Sequence, residues 1–120
     1  MLIDLVLPYP PTVNTYWRRR GSTYFVSKAG ERYRRAVVLI VRQQRLKLSL
    51  SGRLAIKIIA EPPDKHRRDL DNILKAPLDA LTHAGLLMDD EQFDEINIVR
   101  GKPVSGGRLE IRITEVGVHE

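Results

Sequence analysis

The spacing of apolar residues changes along this chain, and the changes limit the folds that it can adopt. Short runs rich in Ile, Val and Leu are typical of β-strands, whereas apolar residues repeated every three or four positions predict helices. The resulting order, β-α-β-α-β-β, is typical of an α+β domain with one small mixed sheet and two main helices packed against it. The sequence leaves the order of the strands in the sheet open. The predicted segments are strand 2–7, helix 28–47, strand 54–59, helix 70–84 and strands 95–102 and 108–115.

Local signals predict where the two helices begin and end. Ser27 is a favourable N-cap for the first helix, and Gly85 is the residue expected just beyond the second. Pro77 falls inside the second helix, where proline removes a hydrogen bond and clashes with the carbonyl of residue 73. We expect a kink at this position. The alternative is a distorted first turn around Asp71.

Turns that contain glycine predict two hairpins. Gly106 and Gly107 separate the last two strands, which are therefore expected to pair with each other in antiparallel fashion. A smaller hairpin is expected around Gly21, within the otherwise irregular residues 12–27. The chain has no repeat, low-complexity tract or interdomain linker. We therefore expect residues 1–120 to form a single domain.

Charge is distributed unevenly between the two halves of the chain. Residues 1–60 contain 12 Lys and Arg against 2 Asp and Glu, whereas residues 61–120 contain 8 against 13. A strongly basic half is typical of proteins with a polyanionic partner, because Lys and Arg neutralise phosphates and release their counterions. Judged from charge alone, a solvated basic face without a ligand is the alternative.

Composition excludes several classes of protein. The chain has no cysteine, and therefore no disulfide framework, thiol nucleophile or thiolate metal site. No apolar run approaches the roughly 18 residues that cross a membrane, and the N-terminus lacks the charged and apolar regions of a signal peptide. We expect a cytoplasmic protein with no membrane contact and no organic cofactor. A secreted protein without cysteine is the alternative.

Acidic and basic residues are concentrated at residues 65–75. Four basic residues precede Asp69 and Asp71, and Lys75 follows four positions after Asp71. A helix would place Asp71 and Lys75 on one face, while Asp69 lies at the helix start, where an anionic side chain is favoured. An acidic turn at residues 89–91 follows soon after the helix ends. A short return of the chain could bring this turn beside the first two carboxylates.

Converging carboxylates repel each other unless a cation neutralises them. Ligand sets made only of oxygen select hard ions such as Mg²⁺ or Mn²⁺. Such an ion, held between carboxylates and a phosphodiester, can bind a phosphoryl oxygen and activate a water molecule. Arg67, Arg68 and Lys75 would then hold the phosphate and stabilise its transition state. The basic surroundings favour a phosphodiester over a carbohydrate or a peptide as the substrate.

Each of these elements also has a purely structural interpretation. Asp69 is typical of a helix N-cap, Asp71 and Lys75 of a surface ion pair, and residues 65–68 and 89–91 of solvated segments. By spacing alone, a nuclease and a non-catalytic nucleic-acid-binding module are equally supported. A third hypothesis is a regulatory or protein-interaction subunit whose basic half binds an acidic partner.

Short segments in order along the chain carry a family pattern. They are LPYPPTVNTY at 7–16, VSKAGERYR at 26–34, RDLDN at 68–72 with Lys75 and the later Asp89-Asp90, DALTHAG at 79–85, and GGRLEI at 106–111. Together they resemble the RusA-type Holliday junction resolvases, which are small crossover junction endodeoxyribonucleases often carried by phages and prophages. The resemblance spans nearly the whole chain. Pro77 departs from what the family pattern leads us to expect in that helix.

The resemblance implies a Mg²⁺-dependent endonuclease, with Mn²⁺ able to substitute. It implies that the enzyme acts as a homodimer and resolves four-way junction DNA by paired symmetric nicks in recombination and repair. The catalytic acids and metal ligands of the family fall on Asp69, Asp71 and Asp90, and its essential lysine falls on Lys75. Asp89 is the less secure member of its pair. The residues expected to contact DNA are Asn14, Arg18, Arg19, Arg20, Arg67, Arg68 and Lys75.

Overall fold

A computed structural model of the chain describes residues 2–117. A four-stranded mixed sheet and a separate two-stranded sheet combine with three α-helices and two 3-10 helices, which confirms the predicted α+β class. Met1 and residues 118–120 of the predicted domain lie outside the described residues. In that described part, no helix is long and apolar enough to cross a membrane. The elements are β1 (Leu2–Pro8), α1 (Val13–Tyr16), β2 (Trp17–Arg20), β3 (Thr23–Val26), α2 (Lys28–Gln43), β4 (Leu54–Glu61), η1 (Leu70–Ile73), α3 (Lys75–Ala84), η2 (Asp90–Gln92), β5 (Phe93–Arg100) and β6 (Arg108–Glu115), where η denotes a 3-10 helix.

Three strands in which buried and more exposed residues alternate contribute much of the core. In β1, β4 and β6 every second residue is buried, and α2 and α3 contribute their apolar faces to the same cluster. Leu5, Ile111 and Ile58 lie side by side across these strands, and all three are buried. Burial of one such side chain contributes about 1.5–3 kcal/mol to the free energy of unfolding. The intervening residues are more exposed, so the sheet has one covered face and one open face.

The strand order corrects the predicted pairing of the last two strands. The order is β1-β6-β4-β5, with β5 parallel to β4, and with β6 antiparallel to both β1 and β4. The predicted antiparallel hairpin of β5 with β6 is therefore wrong. β6 buries Leu109, Ile111 and Ile113, which suits a central strand, whereas most residues of β5 are exposed, which suits an edge. The burial of its apolar residues, and not the short connection from β5, therefore determines which strands pair with β6.

The second predicted helix is divided in two. η1 and α3 are separated at Leu74, so α3 begins at Lys75 and Pro77 is its third residue. Backbone N–H groups in the first turn of a helix have no partner within the helix, so Pro77 removes no hydrogen bond there. The prediction of a kink inside one continuous helix is wrong, and the alternative of a distorted turn around Asp71 is correct. Gly85 ends α3 with a φ of 88°, as predicted.

The first helix and the small hairpin agree with the sequence more closely. α2 follows Ser27, whose hydroxyl oxygen accepts a hydrogen bond of 3.0 Å from a backbone N–H of the first turn. The helix ends at Gln43 and not at Lys47. Arg45 has a φ of 57°, which a right-handed helix does not tolerate. β2 and β3 pair in antiparallel fashion around Gly21, which confirms the predicted hairpin.

A polar network joins the three α-helices. The hydroxyl of the fully buried Tyr16 in α1 donates a hydrogen bond to Asp79 in α3. The guanidinium of Arg34 in α2 donates to the same carboxylate oxygen, at 2.8 and 3.0 Å. Burial, and then the hydrogen bond to Asp79, raise the pKa of Tyr16 above its usual value, so the hydroxyl remains a donor. The network fixes α3 relative to α1 and α2.

Replacement of the hydroxyl of Tyr16 should destabilise the fold. A hydrogen bond to a charged group contributes about 1.5–3 kcal/mol, so Tyr16→Phe should lower the free energy of unfolding by about that amount. Chemical denaturation measures the change. Tyr24→Phe is the matched control, because Tyr24 is exposed, and its effect should stay within about 0.5 kcal/mol. Equal stability of Tyr16→Phe and the unmodified chain would contradict the role of the network.

Candidate active site

The predicted acidic residues lie at the two 3-10 helices. Asp69 immediately precedes η1, Asp71 lies within it, and Asp90 is the first residue of η2. Both 3-10 helices contact α3, which begins at Lys75. The fold therefore brings the segments that carry these four residues to one region of the molecule.

Asp90 and Lys75 are in contact across this region. The Lys75 Nζ lies 3.8 Å from the Asp90 Oδ2, with the Asp90 side chain 30% exposed and that of Lys75 48% exposed. Burial raises the pKa of Asp90 above its usual value, and the adjacent Asp89 raises it further, while Lys75 acts in the opposite direction. Burial disfavours the ionised form of Asp90, and an additional cation next to the carboxylate would stabilise that form.

Asp69 and Asp71 are both exposed at the surface beside η1. Asp69 occupies the N-cap position, yet its side chain makes no capping hydrogen bond, so capping does not account for it. Asp71 lies in η1 and Lys75 begins α3, so the single helix on which the sequence prediction places both residues is not formed. Among residues 2–117, no group of three or more acidic or histidine side chains is assembled closely enough to hold a metal ion.

Asp89 and Asp90 have different roles although they are neighbours. The Asp89 carboxylate accepts a hydrogen bond of 3.1 Å from the Glu91 N–H and caps η2. Backbone hydrogen bonds, chiefly this one, lower the pKa of Asp89. The Asp89 side chain thus holds the turn, which leaves Asp90 as the acid of this pair directed to Lys75.

Arg67 and Arg68 occupy the loop before η1 and differ in their surroundings. Arg67 is exposed. Arg68 is half-buried, its Nη1 lies 2.6 Å from the Asp64 Oδ1, and its guanidinium lies 5.8 Å from the centre of the Tyr9 ring. The hydrogen bond from Arg68 lowers the pKa of Asp64 to about 2. Arg68 is thus anchored within the protein, whereas Arg67 remains available to a ligand.

The remaining DNA-binding candidates lie on other elements. Asn14 belongs to α1, and Arg18, Arg19 and Arg20 belong to β2; all four side chains are exposed. They therefore form a second basic group, on the hairpin β2–β3 and the short helix before it.

Comparison with protein families connects this arrangement to a known group. The family described as endodeoxyribonuclease RusA matches residues 8–114. The chain belongs to the RusA endodeoxyribonuclease family. This confirms the family inferred from the motifs of the sequence.

Individual relatives of this RusA-family chain cover almost its full length. A protein of Enterobacteria phage HK97, named crossover junction endodeoxyribonuclease rusA, is 60% identical over 113 residues, which is 94% of each chain. The Escherichia coli K12 protein named crossover junction endodeoxyribonuclease RusA is 42% identical over 114 residues, or 95% of each chain. A relative from Enterobacteria phage 82 is 41% identical over 113 residues, or 94% of each chain.

Sequence reasoning missed two groups that position the site of this RusA-family chain. The buried Gln92 accepts hydrogen bonds from the N–H groups of Met88 and Asp89, both at 2.8 Å, and donates to two carbonyls of the loop before β4. The spacing of Asp89 and Gln92 is that of a capping box and could have revealed this contact. The contact of Tyr16 with Asp79 joins residues 63 positions apart, and no local signal indicates it.

The contact of Lys75 with Asp90 predicts a measurable change in a pKa. Lys75→Met removes the positive charge that favours ionised Asp90, so the pKa of Asp90, already raised by burial, should rise further. The ¹³C chemical shift of the Asp90 carboxyl, followed by NMR as pH is varied, measures it. Lys65→Met, which removes an equal charge from the exposed loop, should leave the value unchanged. The same pKa of Asp90 in the unmodified chain, in Lys75→Met and in Lys65→Met would contradict the contact.

Proposed function

We propose that this chain is a metal-dependent endonuclease that cuts four-way DNA junctions as a homodimer. The contact of Lys75 with the half-buried Asp90, in the region of Asp69 and Asp71, is the observation that carries the proposal. The contact supports the proposal because cleavage of a phosphodiester at a metal site uses both a carboxylate and a cationic side chain. The family supports the same activity, because its relatives are named crossover junction endodeoxyribonucleases.

Asp69, Asp71 and Asp90 would hold the metal ion, which we propose is Mg²⁺, with Mn²⁺ able to substitute. The donor set fits such an ion, because all the donors are carboxylate oxygens. The raised pKa of Asp90, caused chiefly by burial, also fits, because a bound cation would stabilise the ionised carboxylate. Asp69 and Asp71 are exposed, and to share an ion with Asp90 their side chains would have to turn toward it. When bound, the ion supplies Lewis acidity and charge neutralisation at the phosphodiester.

The protein side chains position the DNA and stabilise the charge that develops on the phosphate. The ammonium group of Lys75 would donate a hydrogen bond to a non-bridging oxygen, an interaction that strengthens as negative charge accumulates in the transition state. The position of Lys75 in the first turn of α3 adds the positive end of the helix dipole. Arg67 would neutralise a flanking phosphate. Arg68, anchored to Asp64, would hold the loop in place.

Loss of any one of the proposed ligands should abolish cleavage and spare binding. Mutation of residues that only hydrogen-bond to metal ligands typically lowers metal affinity or activity by roughly 10–100-fold. The variants Asp69→Asn, Asp71→Asn and Asp90→Asn change the proposed ligands themselves. Each should therefore lower the cleavage rate by more than roughly 100-fold. Junction binding should stay near normal or tighten, because negative charge next to the phosphates is removed. Single-turnover cleavage of a synthetic four-way junction and gel-shift titrations measure the two effects.

Asp89→Asn is the matched control for these variants. It makes the same change of charge next to Asp90, but asparagine also caps helices, so most of the cleavage should remain. Near-normal cleavage by Asp71→Asn or Asp90→Asn would remove that residue from the metal site. Binding that EDTA leaves unchanged, with no cleavage under any divalent metal, would instead favour a non-catalytic DNA-binding module.

The open face of the four-stranded sheet supports the homodimer. Val6, Ile59 and Val99 are 50%, 41% and 47% exposed and lie in one row across the sheet, which Glu110 of β6 completes. Large apolar side chains grouped on one surface are typical of protein interfaces. We propose that a second copy of this chain covers this face.

The adjacent row of the same face supplies charges of both signs. Asp4 and Arg112 form an ion pair of 2.8 Å, and Lys57 lies beside Arg112 on β4. A surface that carries both signs next to an apolar row can pair with a copy of itself about a two-fold axis. The dimer would then present two equivalent active sites, which suits the cutting of two opposed strands of a junction.

Charge inserted into this face should dissociate the dimer. The double variant Ile59→Lys and Val99→Lys should raise the dimer dissociation constant by at least roughly 100-fold, because like charges would be buried opposite each other. Sedimentation equilibrium at several concentrations measures the constant. Leu39→Lys on α2 is the control, because Leu39 is also exposed, at 57%, but lies on a helix and not on the sheet. A double variant that dimerises like the control would place the interface elsewhere.

A further inference from the structure

The hairpin β2–β3 carries aromatic residues that the proposed cleavage chemistry does not use. It forms its own sheet, separate from the four-stranded sheet. Tyr24 is 63% exposed and Phe25 is 40% exposed. Aromatic rings contribute most when they are buried against a partner. Two exposed rings on one short hairpin that also carries three arginines therefore indicate a binding surface.

Residues of this hairpin and of α1 together form an open cleft. Its volume is about 490 Å³, which is within the range of roughly 300–1,000 Å³ found for small-ligand clefts. The lining combines two aromatic rings, one side-chain amide and two guanidinium groups with a single aliphatic residue. The lining residues are Val13, Asn14, Trp17, Arg18, Arg19 and Tyr24.

The two rings of the cleft are held in position by neighbours. The Arg19 guanidinium lies 5.7 Å from the centre of the Tyr24 ring, and the Arg19 Nε donates a hydrogen bond of 2.6 Å to the Gly21 carbonyl. The Trp17 ring meets the buried Tyr16 ring edge to face, with 5.6 Å between the ring centres. Rings that are fixed in advance lose little conformational entropy when a flat ligand stacks on them.

We propose that this cleft binds an unpaired nucleobase of DNA. The base would stack on Tyr24 and Trp17, the usual way in which proteins bind unstacked bases. The amide of Asn14 offers a donor and an acceptor together, which is what the edge of a base requires. Arg18 would neutralise the phosphate beside the base. The inference rests on the proposed function, because the branch point of a four-way junction is where paired DNA can release such a base.

Phe25 provides an internal comparison on the same hairpin. It lies opposite Arg18 in β2, and the Arg20 guanidinium lies 5.5 Å from the centre of its ring. Because side chains alternate along a strand, Phe25 points away from the face that carries Tyr24, and it does not line the cleft. Loss of Phe25 therefore removes an exposed aromatic ring from the hairpin without removing a residue that lines the cleft.

The fluorescence of Trp17 tests the proposal, because this residue is the single tryptophan of the chain. A short single-stranded oligodeoxynucleotide, added without divalent cations, should quench that fluorescence to saturation. Stacking is lost in Tyr24→Ala and the edge contact is lost in Asn14→Ala, so each should weaken the binding by roughly tenfold. Tyr24→Phe keeps the ring and should bind normally, as should Phe25→Ala. Equal losses in Tyr24→Ala and Phe25→Ala, or no quenching, would overturn the proposal.

Three further probes identify the source of the base. A four-way junction should quench Trp17, whereas a linear duplex of the same length should not, because its bases are paired. A deoxynucleoside monophosphate should bind far more weakly than the oligodeoxynucleotide, which makes additional backbone contacts. Equal quenching by junction and duplex would overturn the preference for unpaired bases. Equal affinity for the monophosphate would show that the cleft takes free nucleotides and would overturn the DNA assignment.

The outcome is separable from that of the proposed function. Cleavage of the junction with Mg²⁺ or Mn²⁺ by a protein whose Trp17 responds to no DNA would reject the cleft alone. Quenching that depends on Tyr24, in a protein that cleaves nothing with either metal, would support the cleft and reject the nuclease.

Discussion

The Asp79 carboxylate accepts hydrogen bonds from both Tyr16 and Arg34. The positions of the proposed active site and of the proposed nucleobase cleft depend on these contacts. The carboxylate joins α3 to α1 and α2, two helices that lie far from α3 in the sequence. α3 begins with Lys75, so its placement determines where the ammonium group meets Asp90. Tyr16 also directly precedes Trp17, the first residue of the hairpin that forms the nucleobase cleft. One partly buried ion pair with an added hydrogen bond thus sets a common frame for both regions.

The acidic turn shows how the fold assigns different tasks to chemically identical neighbours. Asp89 is satisfied by backbone N–H groups, which favour its ionised form and hold η2 in place. Asp90 is half-buried, its pKa is raised, and its cationic neighbour is 3.8 Å away. Gln92 anchors the turn to the loop before β4 through its amide. Asp89 and Gln92 satisfy their hydrogen bonds within the protein, whereas burial disfavours the ionised form of Asp90, which a bound cation would stabilise.

The break between η1 and α3 gives the two remaining acids a setting that a continuous helix would not provide. In one helix, Asp71 and Lys75 would pair with each other as ordinary neighbours at the surface. With the chain divided at Leu74, the ion pair of Lys75 is instead with Asp90, and Asp69 and Asp71 remain exposed beside η1. Pro77 is compatible with this arrangement because it lies in the first turn of α3.

Most elements were determined by the sequence itself, and the chemistry proposed for the site rests on the sequence as well. The strands β1, β4 and β6, the start of α2 and the end of α3 follow from apolar periodicity and capping residues, which act between near neighbours. The proposal of oxygen ligands with basic residues around them follows from the residue types of the sequence. Only the tertiary structure decided that β5 pairs with β4, that Lys75 meets Asp90, and that Tyr16 reaches Asp79. These contacts join residues distant in the chain, and they form because the core must bury apolar faces from several elements at once, a requirement that no local segment encodes.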